Sequence, residues 1–186
     1  MLNDDMGESQ AKWVAYKPQK DEWVYNDGEV SEQAMSFFLF DYENIKQGWG
    51  KVQAGVSPEY KWREDISIPD TKPGDGFKPA RSVDLYFRDE HLQGVYSWTT
   101  NGWGPVTGIN IIYEKIINHP EKKEGMLPVI KFTGTEEKKF SVGSTKVPQF
   151  EIIKWAKRPA DWLNEDVVES APEEVAEDKP EDNIPF

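Results

Sequence analysis

A single stretch of helical periodicity stands in a chain otherwise patterned for strands, and that order constrains the fold most. Between Val106 and Asn118 the apolar residues Ile109, Ile112, Tyr113, Ile116 and Ile117 recur at spacings of three and four, the repeat of one helix face. His119-Pro120 ends it, because proline disfavours helical backbone in the residue before it. Ahead of the helix, Met35 to Asp41 reads as a buried aromatic strand, with further candidates at Lys51 to Val56 and Tyr60 to Ile68. Ser82 to Arg88 alternates, Val83, Leu85 and Phe87 facing one way and Ser82, Asp84, Tyr86 and Arg88 the other. Gln93 to Thr99 follows, with Tyr96 and Trp98 on one face. Behind the helix, Met126 to Thr133 and Val147 to Ala156 read as two more strands, joined by a loop containing Lys and Gly. Residues 69–80, with three prolines and two glycines, read as a long loop.

Several strands, one helix and two more strands match an oligonucleotide-binding fold, a five-stranded Greek-key β-barrel with its helix between the third and fourth strands. A sandwich with an inserted helix would give the same string. The expected organisation is a loose N-terminal arm over residues 1–11, the barrel over 12–164, and a disordered tail over 165–186. That tail is acidic and proline-punctuated, too poor in apolar groups to offset the entropy of ordering.

Charge is segregated along this organisation. The tail carries nine acids against the single base Lys179, a net −8 out of −12 for the whole chain. Between Lys115 and Arg158 ten bases face five acids. Residues 1–164 still carry −4, but the Lys115–Arg158 segment is locally +5, so a basic groove can meet phosphates although the chain is acidic overall. At low salt the tail is expected to compete with a nucleic acid for that groove. Cysteine is absent, so neither disulfides nor cysteine-held zinc can contribute. No apolar run approaches the ~18 residues needed to span a bilayer. Met1-Leu2-Asn3-Asp4-Asp5 lacks the basic-then-apolar order of a secretion signal. A soluble, cytoplasmic protein is expected.

The tail ends Glu181-Asp182-Asn183-Ile184-Pro185-Phe186. This resembles the C-terminal tip of bacterial single-stranded DNA-binding proteins, with Asn183 where those tips often carry another aspartate. The stretch from Leu127-Pro128-Val129 through Gly143 to Pro148-Gln149-Phe150-Glu151-Ile152-Ile153-Lys154-Trp155 resembles phage-encoded proteins of the same kind, which would place the chain in a bacterial host cytoplasm. The resemblance implies that Asp182, Ile184, Pro185 and Phe186 recruit replication, repair or recombination proteins. Chemistry agrees with such a role. A pocket beside an arginine can capture the Phe186 ring and its carboxylate together, while Pro185 limits the ordering cost.

Single strands are held by aromatic faces that stack bases and by cations that follow the phosphates. The chain has 8 Trp, 7 Tyr and 9 Phe. Trp49, Trp62, Phe77, Tyr86, Tyr96, Trp98 and Trp103 are the stacking candidates, several lying beside glycines or bases. Any one of them could equally be a core residue. Lys51, Lys61, Arg63, Arg81, Arg88, Lys131 and Lys139 are the leading phosphate candidates, with Lys72, Lys78, Lys138 and Lys146 behind them. No catalysis, metal or cofactor is expected. The two histidines, His91 and His119, read as a turn residue and a charged helix-end residue. Neither a phosphate-binding loop nor a Gly-x-Ser-x-Gly elbow occurs. The rival readings are a Trp-rich β-sandwich for carbohydrate, a virion component, and a recombination mediator that binds DNA weakly. Self-association is left open.

Overall fold

The computed structural model describes residues 12–32, 34–63, 71–141 and 143–162. Ten strands form one mixed sheet: β1 (Trp13–Lys17), β2 (Glu22–Asn26), β3 (Val30–Glu32), β4 (Phe38–Phe40), β5 (Lys46–Lys51), β6 (Glu59–Trp62), β7 (Lys78–Arg88), β8 (Gln93–Thr100), β9 (Met126–Phe140) and β10 (Gly143–Lys157). Helix α1 (Trp103–Ile117) connects β8 to β9. The main path of the sheet runs β10-β9-β4-β7-β8-β1-β2-β3, while β5 pairs with β7 and carries β6. All ladders are antiparallel except β1 against β8, where Trp13 lies opposite Ser97 and Val14 opposite Trp98.

The alternation read over Ser82–Arg88 holds. Val83, Leu85 and Phe87 enter the core, where Ile109, Ile112 and Ile116 of α1 also lie. The helix can dock closely on β10 because Gly104 and Gly108, one turn apart, have no side chains. A Cβ at Gly108 would come within 2.8 Å of the Pro148 carbonyl oxygen. Pro105 is tolerated in the first turn, where its missing N–H would have no partner within the helix.

The sheet curls into a half-barrel, and side chains from its two halves meet inside it. Phe150 of β10 packs against Trp98 of β8 and Trp23 of β2, with ring centroids 5.9 and 6.3 Å apart. Phe132 of β9 meets Trp23 edge-on at 5.5 Å. Two register shifts in the β9–β10 ladder, at Gln149/Phe150 and Ile152/Lys154, help bend that hairpin. Asp21, in the β1–β2 turn at φ 56°, ties the two halves together. It accepts hydrogen bonds from the Tyr16 hydroxyl at 2.6 Å and from Thr135 at 3.4 Å, and pairs with Lys146 at 3.5 Å. The Tyr16 hydroxyl, with help from Lys146, holds the Asp21 carboxyl below its ordinary pKa.

A second tie lies at the end of β10. Arg158 grips the buried Asp41 in a bidentate pair, at 2.7 and 3.3 Å. Its guanidinium also lies 4.8 Å from the centre of the Trp162 ring, which stacks on Tyr86 at 5.4 Å.

Several sequence expectations are corrected. Strand β5, Lys46–Lys51, lies earlier than the strand expected over Lys51 to Val56, and the loop closes before Lys78, where β7 begins. The presumed loop between the last two strands is largely ladder, since β9 and β10 pair out to Phe140 and Gly143. At the helix end, His119 Nδ1 accepts hydrogen bonds from Trp155 Nε1 at 3.1 Å and from the Glu121 N–H at 3.2 Å. The N-terminal arm and the acidic tail with its tip, Asp182, Ile184, Pro185 and Phe186, lie outside the described residues.

Candidate nucleic-acid interface

The seven candidate stacking rings divide into two sets. Tyr86, Tyr96 and Trp98 are buried, Trp98 and Tyr96 at only 1% exposure. Tyr96 stands edge-on to Phe87 and Tyr25, and Trp98 to Trp23. No base can reach these rings without opening the core, so all three leave the candidate site. Arg88 goes with them, its guanidinium 5.3 Å from the Tyr86 ring.

Trp49, Trp62, Phe77 and Trp103 belong to the second set. Residues paired across a ladder share a face, and Trp49 lies opposite both Lys61 of β6 and Pro79 of β7. Phe77, just ahead of β7, is also buried, at 9% exposure, and offers no open face for a base to stack on. The ammonium groups of Lys51 and Lys61 sit 5.8 and 5.6 Å from its centroid. Two lysines over one ring hold positive charge at a fixed place, drawn to the ring by its quadrupole. Glu59 offsets part of that charge, lying 3.9 Å from Lys61, but both groups are exposed and the pair is weak. On the other face of the β5–β6 hairpin, Trp62 stacks on Tyr60 at 5.2 Å with the ring planes 6° apart. Tyr60 lies over Gly50, where a Cβ would come within 2.6 Å of its ring. Burial raises the Tyr60 phenol above its ordinary pKa, so it stays neutral.

Trp103 opens α1 and is half exposed, at 50%. Its ring lies 5.2 Å from Phe140, tilted by 50°. Phe140 comes from the far end of the β9–β10 hairpin and is itself 43% exposed. Beneath the two rings is a cleft of ≈ 660 Å³ whose polar wall includes Lys78, Arg81, Asn101 and Asn110. Arg81 donates from Nε to Asn110 Oδ1 at 3.0 Å and from Nη1 to the Ala80 carbonyl at 2.8 Å, which fixes its fork against the helix.

Comparison with protein-family models, with curated proteins and with solved structures returned no match. The site therefore rests on its own geometry. Lys51 and Lys61 gather at Phe77, while Lys78 and Arg81 line the cleft with Trp103 and Phe140. Arg63 is half-buried next to β6, its N–H bonded to the Gln47 carbonyl at 2.8 Å. Lys131 is exposed on β9 opposite Glu151, well along the ladder from Phe140, and is not part of this cluster. Lys139 is exposed beside Phe140 and opposite Ser144.

Reasoning from sequence missed Tyr60, Phe140, Asn101 and Asn110. Phe140 carried a readable signal, an aromatic directly after Lys138-Lys139. The asparagines carried none, because only folding brings β8's end and α1 together. Among the described residues, no group of three or more His, Asp or Glu is placed to hold a metal ion. No helix among them is long and apolar enough to cross a membrane.

Proposed function

We propose that this protein binds single-stranded DNA with little sequence preference. The strand would stack on the partly exposed rings at the β5–β6 hairpin and the exposed ring at the start of α1, with Lys51, Lys61, Lys78 and Arg81 meeting its phosphates. The observation that carries this reading is the pairing of half-exposed aromatics with cations in one neighbourhood, Trp103 and Phe140 beside Lys78 and Arg81 above all. Large rings left in water serve stability poorly, whereas each stacked base gives about 1–3 kcal/mol of binding.

The strand order supports an oligonucleotide-binding fold. If β4, β7, β8, β9 and β10 are barrel strands one to five, their order across the sheet is 5-4-1-2-3, with the helix between three and four. In such folds the connections between strands one and two and between four and five flank the binding face. Here the first of these connections carries β5, β6 and Phe77, and the second carries Lys139 and Phe140. The seam where strand five would meet strand three is taken up by β1, paired with β8. The tip residues Asp182, Ile184, Pro185 and Phe186 would then recruit replication, repair or recombination proteins in the cytoplasm of a bacterial host. The clustered cations favour a phosphate-bearing ligand over a neutral sugar.

Tryptophan fluorescence titrated with oligo-dT across a salt series tests the proposal. Quenching is expected, with affinity falling linearly in log–log form by about 0.7 per phosphate contacted. Absence of quenching, or binding indifferent to salt, would overturn it.

A further inference from the structure

We propose that the cleft at the start of α1 takes one unstacked base and reads its edge through Asn101 and Asn110, so that this subsite, unlike the rest of the interface, distinguishes bases. The inference rests on the single-strand reading above and goes beyond it in naming a place where composition matters.

The argument starts from the rings. Trp103 and Phe140 are tilted by 50° and both are about half exposed, so neither ring covers the other's face. Pro79 and Val106 supply apolar wall beside them. Rings 5.2 Å apart leave no room for a base between them, so a flat, partly apolar group would lie against the open part of one ring and this wall.

The two asparagines then determine what the edge of that group meets. Arg81 Nε can only donate, so the Asn110 atom that receives it at 3.0 Å is the amide oxygen. The Asn110 amide nitrogen, with its two N–H groups, is left for a ligand. Asn101 is held the opposite way. Its amide nitrogen donates to the Gly50 carbonyl at 3.1 Å, which leaves the amide oxygen as an acceptor. One cleft thus presents a donor and an acceptor, each locked in orientation by a bond to the scaffold. The pairing edge of a nucleobase carries acceptors and donors side by side, and an amide meets it in kind. Around Phe77 the contacts are cations over a ring, which respond to charge and not to the identity of a base.

Homo-oligomers of dT, dC and dA of equal length, titrated into the full chain, test this. The wild type should separate the strongest and weakest by about fivefold or more, the scale of one oriented hydrogen bond. Stacking strength alone also separates homo-oligomers, so the decisive reading is how that ratio responds to substitution. Asn110→Asp keeps an oxygen for Arg81 and replaces the donor nitrogen. It should weaken all three oligomers through its charge and also shrink the ratio. Asn101→Ala should shrink the ratio as well. Trp49→Ala should weaken all three alike and leave the ratio unchanged. A wild type that does not separate the oligomers, or a ratio untouched by both asparagine variants, overturns the base-reading subsite while leaving single-strand binding intact. A wild type that binds none of the oligomers overturns both.

Discussion

Trp98 and Trp103 lie five positions apart in the chain and in opposite surroundings. Trp98 belongs to the interior cluster, where Trp23, Phe132 and Phe150 close the curled sheet through tilted and edge-on contacts. Trp103 belongs to the rim, where Phe140, Lys78 and Arg81 border a cleft open to water. Residue type is the same in the two regions, and what differs is the neighbour that completes each ring. Inside, one ring's edge is completed by another ring's face, an arrangement that favours packing. At the rim, cations and amides stand beside rings that the fold leaves about half exposed. Aromatic richness alone therefore says little about binding, while the company each ring keeps says a good deal.

Substitutions can break that contrast. Trp98→Ala should destabilise the fold by about 3–5 kcal/mol, measured by denaturant unfolding, because it empties a packed site. Arg158→Ala should fall in the same range by leaving the buried Asp41 carboxylate without its partner. Trp103→Ala is expected to reverse the pattern. Stability should stay within about 0.5 kcal/mol of the parent, while oligo-dT affinity drops by about 1–3 kcal/mol. If Trp103→Ala unfolds the protein as Trp98→Ala does, the two regions are one core and the interface is misplaced.

Smaller effects sharpen the comparison. Lys78→Ala should reduce the salt slope of oligo-dT binding by about 0.7, the contribution of one phosphate, without changing the unfolding midpoint. The weakest expected effect concerns Asp21, on the interior's seam. Its carboxyl is held below the ordinary value of 3.8, so its contribution is complete above that value and is lost as pH falls through the lowered one. Asp21→Asn can keep the left-handed turn, since asparagine tolerates that backbone. The stability gap between parent and variant should be widest near neutral pH and should narrow below about pH 4. A gap that widened on acidification would rule out this account of the seam.

How much of this was legible beforehand depended on which force shaped each segment. The helix and β7 showed plainly, because burying one face imposes a period on Ile109–Ile116 and on Val83–Phe87. The first three strands did not. In β2, Trp23, Val24 and Tyr25 are all buried, so no alternation marks the strand, and β3 has only three residues. The outer half of the β9–β10 hairpin is polar on both faces and is held by its ladder, which leaves no trace in composition. For the site, the shared face of Tyr96 and Trp98 was correctly read, but a shared face in a strand signals burial as readily as display. The cleft was hidden for a different reason. Pro79, Asn101, Trp103, Asn110 and Phe140 converge only through the crossing of β7, α1 and the hairpin end.

The parallel contact of β1 with β8 has a kinetic consequence. Trp13 must find Ser97, about eighty residues further along, so β1, which pairs locally with β2, is late to gain this second partner. Until it does, β8 offers a bare row of N–H and C=O groups on which the strand of another molecule can grow. Cutting the chain after Lys17 would make that interval permanent, and the expected product is a self-associating species that sediments with increasing concentration.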